Sequence, residues 1–312
     1  MKTMLFDLSA KLDLQPLAEV VSLLQKETVK LNAPVFLMGA AARDVMLQHV
    51  YGVKTLRQTE DMDFGVMVND WTTFEILRNA LIENGQFEAR SKDATHKLWH
   101  RSGKPLDIVP FGGVERADRT LAWPPEEQVI FDCFGMQEAM QSGHEVKLPL
   151  NVSLVVPSLP ALALLKITAW QDRKLTHPGR DAGDLMLYMQ NYLDCNQYDH
   201  AVACYPEIFE AQQYMHESAS AKLIGRDIRQ LIDDAALDRL LQILLPEADE
   251  SGPRLLARQS RFDIQSALTM IAGMCEGLHQ PKSPHISTYC GMLKGYDLGD
   301  IEPEKEPDRT FE

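Results

Sequence analysis

Hydrophobic positions follow two periods along this chain, and the switches between them mark out the elements. Over 16–31, Leu17, Val20, Val21, Leu24 and Leu31 recur at helical spacing, and Pro16 suits a first turn that needs no N–H, so an amphipathic helix is predicted. Pro34 ends it, and the apolar run VFLM over 35–38 reads as a short strand leading to Gly39. Residues 40–49 are rich in helix formers, which makes a strand, glycine turn, helix unit. A second strand is predicted over 61–68 (DMDFGVMV). A helix follows over 71–84, with Phe74, Leu77 and Leu81 on one side and Gly85 as its stop. Shorter strands are expected at 87–90 and 97–101 around the turn SKDAT, and at 105–111 (PLDIVPF), with two or three more within 131–140 and 144–156.

From 158 onward the pattern is helical. Residues 159–173 (LPALALLKITAWQDR) are apolar on nearly every side, as expected of a core helix. Further helices are predicted over 180–192, 199–205, 207–216, 221–232, 235–245 and 261–276. The fold class that follows is α/β, of the α+β kind. A small mixed sheet flanked by helices occupies 1–157, a helical C-terminal region 158–278, and 279–312 is an acidic tail too poor in apolar residues to fold alone.

Against this scaffold a few polar residues stand out. Asp61 and Asp63 are two apart at the head of an apolar strand, so both carboxylates should project from one face. Like charges there are costly without a counter-ion, and the alternative is that both are solvated strand-entry residues. Asp107 is a third acid, with Leu106 and Ile108 pointing the opposite way. If its strand lies beside 61–68, three carboxylates converge, a donor set suited to hard divalent cations about 3.5–4 Å apart that handle phosphates. Gly39 and Ala40 form a small-residue turn before a helix, where backbone N–H groups can approach a phosphate. Lys166 sits alone in the apolar helix and either snorkels to the surface or reaches into a cleft. Asp181 and Asp184 share a helix face at i, i+3, while Arg226, Asp227 and Arg229 read as a salt-bridged helix surface.

Composition narrows the function. The 312 residues carry a net charge of −14, which argues against a general nucleic-acid coat protein. Five of those negatives are the balance of 296–312, so the body is still acidic, and any nucleic-acid contact must use a confined basic patch. Five cysteines without C-x-x-C spacing suggest neither a disulfide framework nor a zinc cage. Without a signal peptide or an apolar run near ~18 residues, the cytoplasm is the expected compartment. P-loop, dinucleotide-binding and serine-hydrolase motifs are missing, and His177 and His285 are isolated.

The order strand, Gly39-Ala40, helix, Asp61-x-Asp63 strand, and a later strand acid resembles the nucleotidyltransferase superfamily related to DNA polymerase β. Ala40 stands where that superfamily usually has Gly or Ser, so phosphate binding would lean on backbone amides. The segment ARDVML over 42–47 resembles a helix of tRNA nucleotidyltransferases, which implies that Arg43 contacts the triphosphate or sugar. LLKITAWQDR together with GRDAGDLMLYM resembles the abortive-infection AbiEii-type nucleotidyltransferases, in which Lys166 matches a phosphate-binding lysine and Asp184, with Asp181 beside it, the late acid. The resemblance implies Asp61, Asp63 and Asp107 as ligands of Mg2+ or Mn2+. It also implies Gly39, Ala40, Arg43, Lys166 and Asp181 at the nucleotide, and either Asp107 or Asp184 acting on the acceptor hydroxyl. The activity implied is transfer of a nucleoside monophosphate from a nucleoside triphosphate to an RNA end such as tRNA, as a toxin restrained by an antitoxin protein. Two other readings remain open: transfer to a small cationic acceptor of the aminoglycoside kind, favoured by the acidic body, and a non-catalytic nucleotide-binding regulatory module.

Overall fold

The computed structural model describes residues 4–55, 61–91, 95–124, 130–177, 179–210 and 214–282. From the N-terminus the chain forms β1 (Leu5–Asp7), α1 (Gln15–Lys30), β2 (Val35–Met38), α2 (Gly39–Asp44), β3 (Met62–Val68), α3 (Trp71–Glu83), β4 (Phe87–Glu88), β5 (Lys97–His100) and β6 (Pro105–Gly112). It continues through β7 (Thr120–Ala122), β8 (Ile130–Asp132), α4 (Met136–Gln141), β9 (His144–Leu148) and β10 (Val152–Val156). Every later described element is helical: α5 (Leu159–Arg173), α6 (Arg180–Asn191), α7 (Tyr198–Cys204), α8 (His216–Leu231), α9 (Asp234–Ala248), α10 (Leu255–Gln259) and α11 (Ile264–His279), with a single 3₁₀ turn at Pro206–Ile208. None of the described helices is long and apolar enough to cross a membrane.

Eight strands make one mixed sheet in the order β1-β9-β10-β2-β3-β6-β5-β4, and β7 and β8 form a second, two-stranded sheet. β3 runs antiparallel to β2 and parallel to β6, so the strand predicted from the acid pair lies near the middle of the sheet. Side-chain alternation then sorts the residues. Phe64 and Val66 of β3 join Leu106 and Ile108 of β6 in a core shared with Leu17, Val20, Val21 and Leu24 of α1 and Phe74, Leu77 and Leu81 of α3. Val109 and Phe111 face the other way and pack with Phe36, Met136 and Ala161. Gly65 is needed on that second face, since a Cβ there would stand 2.4 Å from Cε1 of Phe36.

α2 does not stop at Asp44 but widens into a π-helical turn over Val45–Val50 that buries Val45, Met46 and Leu47. Asp70 caps α3 by accepting a 2.7 Å hydrogen bond from the Thr73 amide. α5 is as buried as its composition predicts, and α6 packs on it; α6 in turn contacts α8, which lies along α11.

Three expectations need correction. The strand anticipated within 131–140 ends at Asp132, because Gly135 adopts φ +92 and starts α4. No helix spans the described part of 207–216, where there is only the 3₁₀ turn, and α8 begins at His216. Arg226, Asp227 and Arg229 are buried rather than displayed on a surface, and Asp227 accepts a 2.6 Å hydrogen bond from the Tyr192 hydroxyl. The expectations for 56–59, 92–94, Pro178, 211–213, His285, Cys290 and the tail beyond 282 lie outside the described residues.

Candidate active site

Strand register brings the predicted acids together. Met38 pairs with Asp63 across β2 and β3, Asp63 with Asp107 across β3 and β6, and Lys97 with Asp107 across β5 and β6. These four residues therefore form a level row over four neighbouring strands, spaced by the inter-strand distance of about 4.8 Å. Their side chains share the face opposite the Phe64 and Ile108 core. Asp61 precedes β3 by one residue and returns to the Asp63 side two positions earlier.

Gly39 closes one side of this row. Its φ of +68 is left-handed, and a Cβ built on it would lie 2.0 Å from Oδ2 of Asp63. Two separate constraints, backbone conformation and contact with a carboxylate, thus exclude any side chain there. Ala40 follows, buried, at the start of α2.

The carboxylates are poorly compensated. Burial, and then the charge of Asp107, push the Asp63 pKa up to about 6, with Lys166 and Arg173 pulling against them. Burial likewise raises Asp107, against the pull of Lys97. Lys97 Nζ lies 3.3 Å from Asp107 Oδ1, outside strict hydrogen-bond geometry at that buried oxygen, so the contact is chiefly one of charge.

A second polar group adjoins the first. Lys166 neither snorkels nor stands free: its buried Nζ lies 3.0 Å from Asp181 Oδ1 and 2.7 Å from Asp184 Oδ2. Arg173, two turns further along α5, grips Asp181 through Nε at 2.6 Å and Nη2 at 2.8 Å. Arg43 is almost completely buried and contacts Asp184 Oδ1 at 2.5 Å and Asp44 Oδ1 at 2.8 Å. Asp44, Arg43, Asp184, Lys166, Asp181 and Arg173 make a continuous ladder of alternating charge from α2 through α6 to α5. Burial works to raise the Asp181 pKa, but the hydrogen bonds from Arg173 and the charges of Lys166 and Arg173 outweigh it and hold it at about 2. The charges of Lys166 and Arg173 also act on Asp63, which ties the ladder to the row of acids.

The family described as "Nucleotidyl transferase AbiEii toxin, Type IV TA system" matches residues 45–255, about two thirds of the chain. The chain belongs to this AbiEii nucleotidyl transferase family. The matched stretch contains Asp61, Asp63, Asp107, Lys166, Asp181 and Asp184, while Gly39, Ala40 and Arg43 precede it. Among solved structures, the chain is similar to the antibiotic-resistance factor ANT(2'')-Ia at 14% identity and a TM-score of 0.35, over 62% of this chain and 94% of that one. It is also similar to the Thermotoga maritima CCA-adding enzyme complexed with tRNA, at 14% identity and a TM-score of 0.24, over 92% of this chain and 88% of that one. A CCA-adding enzyme in complex with ATP is similar at 16% identity and a TM-score of 0.23, over 92% and 85%. Likenesses this distant carry no argument about what the AbiEii-family chain does. No curated protein matches it.

Nucleotidyltransferases of this kind need a divalent cation, and the donor set can be tested against one. Among the described residues no three His, Cys, Asp or Glu side chains yet converge closely enough to hold an ion. The chemistry nonetheless fits a hard cation: the donors are carboxylates, burial makes the two strand acids resist ionisation, and one buried oxygen has no hydrogen bond. Sequence reasoning missed Lys97, Arg173 and Asp44. Arg173 had a signal, at i+7 from Lys166 on one helix face; Lys97 had none until the register of β5 on β6 was known.

Proposed function

We propose that this AbiEii-family nucleotidyltransferase moves a nucleoside monophosphate from a nucleoside triphosphate to a hydroxyl at an RNA end, tRNA in particular, as the toxin of a toxin–antitoxin pair. The observation that carries the reading is the pairing of Asp63 with Asp107 on adjacent parallel strands, with the Gly39 turn against the Asp63 carboxylate. Asp61, Asp63 and Asp107 would hold Mg2+ or Mn2+, which when bound neutralises phosphate charge and polarises the α-phosphate. The register favours Asp107 over Asp184 as the third carboxylate, because Asp184 is engaged by Arg43 and Lys166.

The remaining roles belong to the chain itself. Amides of the Gly39-Ala40 turn face the phosphates. Lys166 supplies positive charge beside them, held in place by Asp181 and Asp184. Arg43 is read as a positioning residue that fixes Asp184, given its burial. Asp107 accepts the proton of the acceptor hydroxyl as its oxygen bonds to the α-phosphorus; the α–β phosphoanhydride bond breaks and pyrophosphate leaves with the electron pair. The proposal includes an antitoxin, and the family description as a toxin of a Type IV TA system supports it.

The net charge of −14 favours a second reading, in which the acceptor is a small polycation. One experiment separates them: purified protein, each labelled triphosphate in turn, Mg2+, and either total tRNA or aminoglycosides. Label on tRNA supports the first reading and label on the aminoglycoside the second. Transfer that survives in the Asp61→Asn, Asp63→Asn double variant removes the metal assignment, and nucleotide binding without any transfer would mark a regulatory module.

A further inference from the structure

β5 alternates as a half-buried strand does. Leu98 enters the core, while Lys97 and Trp99 lie on the opposite, partly exposed face, the one that carries the acids. Antiparallel pairing sets Lys97 directly opposite Asp107, and its ammonium comes to 3.3 Å from Oδ1. Both side chains are partly exposed, 29% for Lys97 and 21% for Asp107, while that oxygen itself is buried. The contact falls outside strict hydrogen-bond geometry, so charge more than a directional bond holds the ammonium there. A second seat is close by: Lys97 Nζ lies 6.0 Å from the centroid of the Trp99 ring, which also carries the Arg90 guanidinium at 5.0 Å.

Asp61, Asp63 and Asp107 lie within reach of one another's charge at this end of β3 and β6, and Lys97 is a cation in contact with one of them. An oxygen that coordinates a divalent cation sits about 2.0–2.6 Å from it. An ammonium 3.3 Å from that same oxygen is then a like charge at close range in a half-buried cleft, where the two oppose each other.

We propose that Lys97 is the resident counter-cation of the metal site: its ammonium holds Asp107 while the site is metal-free and gives that carboxylate up when a divalent cation binds. The proposal rests on the reading of Asp61, Asp63 and Asp107 as metal ligands. By linkage the opposition is mutual, so the ammonium weakens metal binding by the factor by which the metal weakens the Lys97–Asp107 pair. The pair spares the metal-free protein a cluster of uncompensated acids, and it makes metal binding conditional on lysine release. Trp99 and solvent receive the released ammonium without movement of the strand, because β5 stays paired to β6 through backbone hydrogen bonds.

The test is Mn2+ titration of the full chain, with free Mn2+ read by electron paramagnetic resonance, on wild type, Lys97→Met, Lys97→Arg and Asp63→Asn. Lys97→Met should tighten Mn2+ binding about tenfold, the low end of what one adjacent charge does to an ionisation equilibrium. Lys97→Arg keeps the cation and should stay near wild type, and Asp63→Asn should bind weakly. Equal or weaker binding by a folded Lys97→Met protein overturns the counter-cation. If neither wild type nor Lys97→Met binds Mn2+, the metal reading itself falls and takes this proposal with it. Because Lys97→Met leaves Asp107 without its cation, a second measurement uses wild type alone and does not depend on the variant folding: trace acetylation of lysines with and without Mg2+, read by mass spectrometry. Lys97 should acetylate faster with Mg2+ while the exposed Lys26 does not change. An unchanged or slower rate at Lys97 also overturns the proposal.

Discussion

Gly39 and Asp63 define the site at the residue scale, since each makes the other necessary. Gly39→Ala asks for a left-handed alanine, which costs about 1–2 kcal/mol, and sets a methyl carbon 2.0 Å from the Asp63 oxygen. The carboxylate must therefore move. The expected result is a loss of stability of at least that size by denaturant titration, together with loss of Mn2+ affinity and transfer; retained Mn2+ affinity would show that Asp63 is not held for metal by this contact. Asp63 itself makes a pH prediction. Its pKa rises from 3.8 unfolded to about 6 folded, so between those values the folded chain holds the extra proton. This contribution is present at low pH and is lost as pH rises through about 6; above it the ionised group destabilises the metal-free fold by about 3 kcal/mol, an upper bound at 1.36 kcal/mol per pKa unit. Asp63→Asn should therefore raise the melting temperature of metal-free protein at pH 7.5, with the gain shrinking toward pH 4.5, while transfer disappears. Calorimetry at the two pH values checks it, and an equal shift at both would refute the assignment. In wild type, Mn2+ affinity should fall on acidification below about 6, as protons and metal compete for one carboxylate.

α5 and α6 show at the element scale what periodicity can and cannot reveal. Their faces were legible: Lys166 among apolar residues, and Asp181 with Asp184 at i, i+3. That these faces meet was not, because a helix period fixes which side chains share a side but not which helix lies opposite. The sheet repeats the lesson. The alternation of 61–68 and 105–111 predicted which face Asp63 and Asp107 occupy, whereas their level pairing is a property of register, which the pattern alone leaves open. β1 and β7, three residues each, carry too few alternations to read at all. The ladder that results gives a third prediction. Asp184→Ala removes the acid shared by Arg43 and Lys166, leaving two buried cations short of a partner, and should cost about 3–5 kcal/mol. Asp184→Asn keeps the shape and some of the hydrogen bonds and should cost less. Chemical denaturation of both variants orders them; equal stability of Asp184→Ala and wild type would mean that the ladder is not what joins α6 to α2 and α5.

At the scale of the whole molecule, net charge bears on the proposed acceptor. A chain of net −14 repels a polyanion at long range, so an RNA end can be held only through a few local cations. The stretch from β4 to the start of β6 carries such residues: Lys97 in contact with Asp107, Arg90 over the same Trp99 ring, and Arg101 and Lys104 in the turn after β5. Salt dependence reads out how many of them work, because each contact to a single-strand phosphate adds about 0.7 to the slope of log affinity against log salt. If RNA is the acceptor, two such contacts give a slope near 1.4, and its KM should rise less than about tenfold between 50 and 200 mM KCl. Long-range repulsion is screened over the same range, which flattens the slope further. A polycationic acceptor behaves differently: its attraction to the whole acidic surface is screened with no repulsion to offset it, so its KM rises with salt from the outset. Steady-state transfer to both acceptor classes across that salt range is the measurement. A steep RNA slope, equivalent to six or more phosphates, would contradict the charge argument, because the few cations of this hairpin cannot supply it.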